Sequence, residues 1–89
     1  MIARHIVVAG RVQGVGFRFF AERTALELGV PGWVRNLPDG AVESVAEGEE
    51  AAVASYLERL RDGPRMGRVS RFDVKEVEVR GFGSFEITR

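Results

Sequence analysis

The sequence contains no cysteine, one histidine (His5) and one lysine (Lys75). Without cysteine there are no disulfides, no thiolate metal sites and no cysteinyl phospho-intermediate. An excess of charge is missing too. The 13 basic and 13 acidic residues cancel, so net charge gives no reason to expect a nucleic-acid partner or an anionic membrane surface. Long apolar runs are absent as well. The start, residues 1–10, is too short an apolar stretch for a signal peptide, and no span is long enough to cross a bilayer. These absences point to a cytoplasmic protein with neither a membrane nor a nucleic acid as partner. Of the basic residues all but Lys75 are arginine, a bias that genome composition and a preference for stability explain equally well.

What is present is an ordinary globular composition, 45% hydrophobic and 29% charged over 89 residues. That length makes one domain, residues 1–89. Ile6-Val7-Val8-Ala9 is a compact β-branched run and predicts a strand. A glycine-bearing loop, Gly10 to Gly16, follows. From Phe17 the spacing turns helical, with Phe17, Phe20, Ala21, Thr24, Ala25 and Leu28 on one face. Gly29 and Pro31 end that helix. Gly32 to Asn36 predicts a second strand, Pro38-Asp39-Gly40 a tight turn, and Ala41 to Glu47 a third strand paired with the second in a hairpin. A second helix follows Gly48, with Val53, Tyr56, Leu57 and Leu60 as its apolar stripe, and Gly63-Pro64 stops it. Val69 to Val79 is strand-like. Its alternation changes phase between Val74 and Val77, which predicts a bulge or break there. Phe85 and Ile87 give a short last strand. This order, βαββαβ plus a terminal strand, predicts an α+β ferredoxin-like split-βαβ sandwich, an antiparallel sheet with two helices on one face.

Chemistry concentrates in the first loop. Gly14-Val15-Gly16-Phe17-Arg18 lies between a strand and a helix. Its glycines let successive N–H groups face one point, the first helical turn has unpaired N–H groups and partial positive charge, and Arg18 adds a planar donor fork. Such a concavity suits a phosphate. The same glycine pair also serves as a plain tight connection. It is neither a P-loop, since no Gly-Lys-Ser/Thr follows, nor a dinucleotide fingerprint, since Phe19 stands where the third glycine belongs. Asn36, at the end of the second strand, reads either as turn chemistry or as an amide that aims a water, if the fold brings it to the Arg18 end of the sheet.

At these residues the sequence resembles a known family. Gly10-Arg11-Val12-Gln13-Gly14-Val15-Gly16-Phe17-Arg18 is similar to the phosphate-loop motif of acylphosphatases, and Gly32-Trp33-Val34-Arg35-Asn36 to the family's second motif, continued by Asp39-Gly40 and Val42-Glu43. Gly63-Pro64 resembles its turn after the second helix. The resemblance implies hydrolysis of small-molecule acyl phosphates without metal or other cofactor. It implies that Arg18 and the amides of Gln13, Gly14, Val15, Gly16 and Phe17 bind the phosphoryl group, where inorganic phosphate or other anions also fit, and that Asn36 positions the attacking water. The chemistry is compatible: a carboxylate leaves readily, and phosphoryl transfer depends on positioning and charge stabilisation.

Other residues read as structure. His5, early in the first strand, is expected at a structural or surface position. Trp33, Phe17 and Phe20 are expected in the core, and Arg59, Arg61, Arg65, Arg68 and Arg71 on a solvated face. Arg80-Gly81-Phe82-Gly83-Ser84-Phe85 partly matches the aromatic strand motif of RNA-recognition modules. Ser84 breaks the match, and the stretch falls on the wrong strand. Acylphosphatase-like domains also occur within larger carbamoyl-handling maturation proteins. The end at Arg89, directly after the last strand, predicts a stand-alone enzyme, and the short chain without an obvious exposed apolar strip predicts a monomer.

Overall fold

A computed structural model describes residues 1–89. Its elements are β1 (Ile2–Arg11), α1 (Phe17–Leu28), β2 (Gly32–Asn36), β3 (Val42–Gly48), α2 (Glu50–Asp62), β4 (Arg68–Val77) and β5 (Phe85–Ile87). They form one five-stranded sheet in the order β4-β1-β3-β2-β5. The four longer strands pair antiparallel, as the split-βαβ order requires, whereas β5 adds to β2 in parallel, with Phe85 opposite Gly32 and Ile87 opposite Val34. The sheet is therefore mixed rather than wholly antiparallel.

Strand pleating sorts the side chains into two faces. Ile6, Val8, Val34, Val42 and Ala46 join Phe17, Ala21 and Ala25 of α1, Tyr56 and Leu60 of α2, and Phe85 in one core cluster. Full burial of each large member contributes roughly 1.5–3 kcal/mol. Tyr56 is fully buried, and its hydroxyl is satisfied: Ser44 Oγ donates to the Trp33 carbonyl at 2.7 Å, which leaves it to accept from Tyr56 at 2.8 Å. Burial pushes the Tyr56 pKa well above the usual tyrosine value, against the lowering effect of the Ser44 hydrogen bond. α1 closes on Gly29, whose φ of 68° suits glycine.

β1 is longer than the apolar run Ile6–Ala9 suggests, because Arg4 and His5 continue it as half-buried polar strand positions, with His5 on the helix-free face. The bulge expected between Val74 and Val77 is not there. Pairing runs unbroken from Val74 opposite Ile6 to Val77 opposite Ala3, and the register shifts instead between Ala9 and Gly10, where Ser70 is the extra residue. Gly10 carries the kink with φ 127°, and a Cβ there would collide with the Arg68 carbonyl. The phase change has another cause. Phe72 and Val74 face the helices, whereas Val77 faces the other way, toward the connection between β4 and β5.

That connection, residues 78–84, crosses the helix-free face from one sheet edge to the other. Glu47 holds it there. Glu47 is fully buried on β3 and accepts hydrogen bonds from the backbone N–H groups of Arg80, Gly81 and Phe82, each 2.8 Å. A buried carboxylate without a cation is tolerated because charge-assisted bonds satisfy it. Arg80 to Phe82 are thus strapped against the sheet, and Phe85 packs its ring on Tyr56 at 5.8 Å. Neither forms the exposed aromatic platform that an RNA-recognition strand needs.

Candidate active site

The loop between β1 and α1 and the turn between β2 and β3 meet at one end of the sheet. They enclose a cavity of about 150 Å³ lined by Val12, Gln13, Gly14, Gly16, Phe17, Arg18, Phe19 and Asn36. Arg18 and Asn36, distant in sequence, therefore share one cavity. Of the expected loop residues only Val15 does not line it; Val15 packs against the core cluster.

The loop geometry follows from its glycines. Gly14 and Gly16 have φ of 74° and 76°, and a Cβ at either would meet no atom within 4 Å. Glycine is required there by backbone conformation rather than by lack of room. Gly16 caps α1 without any side-chain cap, and the first turn of α1 contains no acidic residue. Phe20 N–H reaches the Gly16 carbonyl, but the N–H groups of Phe17, Arg18 and Phe19 have no acceptor in the protein. The positive end of α1 is uncompensated, which favours an anion. Arg18 is half-buried in that turn, away from the ion pairs of the molecule, which join His5 and Arg35 to Glu43, Arg59 to Glu27 and Arg71 to Asp73.

Asn36 closes the other side. Its Oδ1 is buried and has no hydrogen-bond partner in the protein. An unpaired buried acceptor costs about 1–3 kcal/mol unless something else supplies a donor. Gln13 behaves differently from its loop neighbours. Its Nε2 donates to the carbonyls of Leu37 and Ala41, 2.8 Å each, so both amide hydrogens are committed to the hairpin. Phe19 is 68% exposed at the cavity rim. Sequence reasoning passed over it, although an aromatic residue off the apolar face of α1 beside the loop was a visible signal.

The remaining expectations resolve elsewhere. His5 lies on the helix-free face, its Nε2 2.7 Å from Glu43, which also accepts from Arg35 Nε at 2.6 Å. Burial raises the Glu43 pKa, but the hydrogen bonds and charges of His5 and Arg35 outweigh it and hold the carboxyl below its ordinary range. Trp33 is not a core residue. β2 alternation sends Val34 to the core and Trp33 to the opposite face, where Arg35 stacks 5.4 Å from its ring. A second cavity of about 550 Å³ lies on that face among His5, Trp33, Val45 and Phe82, and none of the expected site residues borders it. The run of arginines disperses: Arg59 pairs with Glu27, Arg61 lies over Phe72 and Arg71 pairs with Asp73. No group of three or more His, Asp or Glu side chains is placed to hold a metal ion, and no helix is long and apolar enough to cross a membrane.

The acylphosphatase family profile matches residues 4–87. The chain belongs to the acylphosphatase family. It is 54% identical over 86 residues to the acylphosphatase of Methylococcus capsulatus, a match covering 96% of this chain and 94% of that one. The crystal structure of acylphosphatase from Bacillus subtilis superposes with a TM-score of 0.97 at 40% identity, covering all of both chains. The same fold also occurs inside a larger protein. Full-length HypF, in a phosphate- and nucleotide-bound form, matches 99% of this chain over 12% of its own length, at 30% identity and a TM-score of 0.89. As an acylphosphatase, the chain is an enzyme that hydrolyses acyl phosphates.

Proposed function

We propose that Arg18 and the loop amides of residues 13–17 hold the phosphoryl group of the substrate, and that Asn36 aims the water that attacks it. The enzyme acts as a cytoplasmic monomer built from one domain, residues 1–89, and takes small-molecule acyl phosphates. The observation that carries this reading is the buried, unpartnered Oδ1 of Asn36, a residue that lines the same cavity as Arg18 and the two left-handed glycines. Asn36 Oδ1 accepts one hydrogen of the water and turns its lone pair toward phosphorus. Water oxygen bonds to phosphorus as the bond to the acyl oxygen breaks, and the carboxylate departs with that electron pair. The proton passes to a phosphoryl oxygen of the substrate. Arg18 and the N–H groups meet the charge on the equatorial oxygens as it develops. Because the leaving group is already a stable anion, no general acid is required. Inorganic phosphate, as product, occupies the same cradle; the phosphate-bound form of HypF is in keeping with this.

Hydrolysis of a small aryl acyl phosphate, with a metal chelator present, tests these roles. Arg18→Ala is expected to lose both phosphate affinity and activity. Asn36→Ala is expected to lower kcat roughly 10²–10³-fold while inhibition by phosphate stays nearly unchanged. A folded Asn36→Ala enzyme with full activity sinks the assigned role.

A further inference from the structure

We infer that Gln13 is a positioning residue: its amide braces the turn that directly follows Asn36 against the loop that carries Arg18, and so helps set where the water stands relative to phosphorus. The inference rests on the roles proposed above for Arg18 and Asn36. It departs from the expectation that Gln13 serves the phosphate as one more member of the loop.

The geometry is specific. β1 and β3 remain paired only as far as Val8 opposite Val42. Beyond that point the two chains part, one into the loop and the other back toward the turn, and Gln13 spans the gap. An amide nitrogen carries two hydrogens, and Gln13 gives one to Leu37 O and one to Ala41 O, both at 2.8 Å. Leu37 directly follows Asn36. The same two carbonyls close the turn from within: Leu37 N–H donates to Ala41 O at 2.8 Å, Gly40 N–H donates to Leu37 O at 3.1 Å, and Asp39 Oδ1 accepts from Ala41 N–H at 3.0 Å. The turn is thus tied within itself above the Asn36–Val42 pair, and Gln13 ties it to the loop that carries Arg18. Asn36 lacks a partner for Oδ1, so nothing bonded to that oxygen holds it in place. Its aim depends on the backbone beneath it, which the pairing with Val42 holds from the strand side and Gln13, through Leu37 and Ala41, from the loop side.

The position of a reacting group matters steeply, since an error of about 1 Å in placement lowers rates by up to 10²-fold. Gln13→Met keeps size and neutrality and removes both donors. Its kcat is expected to fall about 10- to 10²-fold, with the inhibition constant of inorganic phosphate changed by less than about twofold, because the Arg18 cradle is untouched. In the Asn36→Ala background, where there is no aimed water left to misplace, the same substitution is expected to change kcat by less than about twofold; this double-mutant cycle separates bracing from general weakening. Should Gln13→Met melt below the assay temperature, Gln13→Asn is read by the same measures, since it keeps the amide on a side chain too short to span both carbonyls. Unchanged kcat in a folded variant, a phosphate constant that weakens in step with kcat, or an equal loss in the Asn36→Ala background each overturns the inference. The two levels of failure stay distinct. Full kcat in Asn36→Ala alone refutes the water-aiming role itself, whereas a slow Asn36→Ala enzyme beside a fully active Gln13→Met enzyme refutes only the bracing.

Discussion

Removing the Glu47 carboxylate is expected to loosen the connection over the helix-free face and leave the chemistry intact. The carboxylate is fully buried and accepts three backbone N–H bonds at 2.8 Å. Hydrogen bonds to a charged group are worth roughly 1.5–3 kcal/mol each, which bounds the loss near 9 kcal/mol if nothing relaxes. Relaxation is available. Arg80 and Gly81 are exposed, so their N–H groups can turn to water once the anchor is gone. The Phe82 donor is more enclosed, and the emptied carboxylate pocket lies against β3. The expected net loss for Glu47→Ala is therefore about 3 kcal/mol, a fall in melting temperature of roughly 12–24 °C for a domain of this size. Glu47→Gln is a sharper variant, because it keeps the shape but points an NH₂ donor at other donors. It is expected to lose nearly as much. Thermal and urea unfolding at neutral pH measure both. Acylphosphatase activity at 25 °C should persist, since Glu47 stands at the opposite end of β3 from Val42 and the cavity. If either variant lies within about 0.5 kcal/mol of the parent, the carboxylate does not hold this connection and the reasoning fails.

Glu43 has a lower pKa folded than unfolded, so its stabilising effect is present above the unfolded value and is lost as pH falls through the folded one. The stability gap between the parent and Glu43→Gln is expected to narrow as pH drops below about 4.3; a gap that is constant down to about pH 2 in urea titrations contradicts this. Gly32 has φ 149°, and a Cβ there would strike the Val45 carbonyl, whereas a Cβ on Gly83 would meet nothing. Gly32→Ala is accordingly expected to lose about 3 kcal/mol or more, and Gly83→Ala to stay within about 0.5 kcal/mol. Similar urea midpoints for the two would show that β2 can shift to admit the methyl group.

The order of elements was legible because apolar period changes where structure changes: Ile6 and Val8 alternate, while Phe17, Ala21 and Ala25 recur at helical spacing. The two halves of the candidate site were legible for a different reason, since each sits in a motif whose residue types resemble a family. What escaped depends on neighbours brought from far along the chain. Val77 looked out of phase because the surface that covers it, residues 78–84, is invisible from β4 alone. Trp33 looked like core from the periodic spacing of the aromatic residues, but alternation with Val34 assigns it to the face where Arg35 lies. In the sequence Glu47 reads only as the end of the third strand, and it is the crossing chain that makes it a buried anchor. Gln13 looked like one more loop residue. Its two acceptors belong to a turn that reaches it only after β3 has paired with β1.

The crossing of the helix-free face is also a matter of reach. β4 and β5 occupy opposite edges of the sheet, so four strand spacings, about 19 Å, separate them. The eight steps from Val77 to Phe85 extend to at most about 26–29 Å. Glu47 lies on β3, the central strand of the five, and grips Gly81 midway along the crossing. Each half of the connection must then span two strand spacings on its own length of chain, and slack on one side cannot be lent to the other. The anchor turns one moderately taut bridge into two short ones, so that the strand flanking β2 is docked by a chain with few other paths to take.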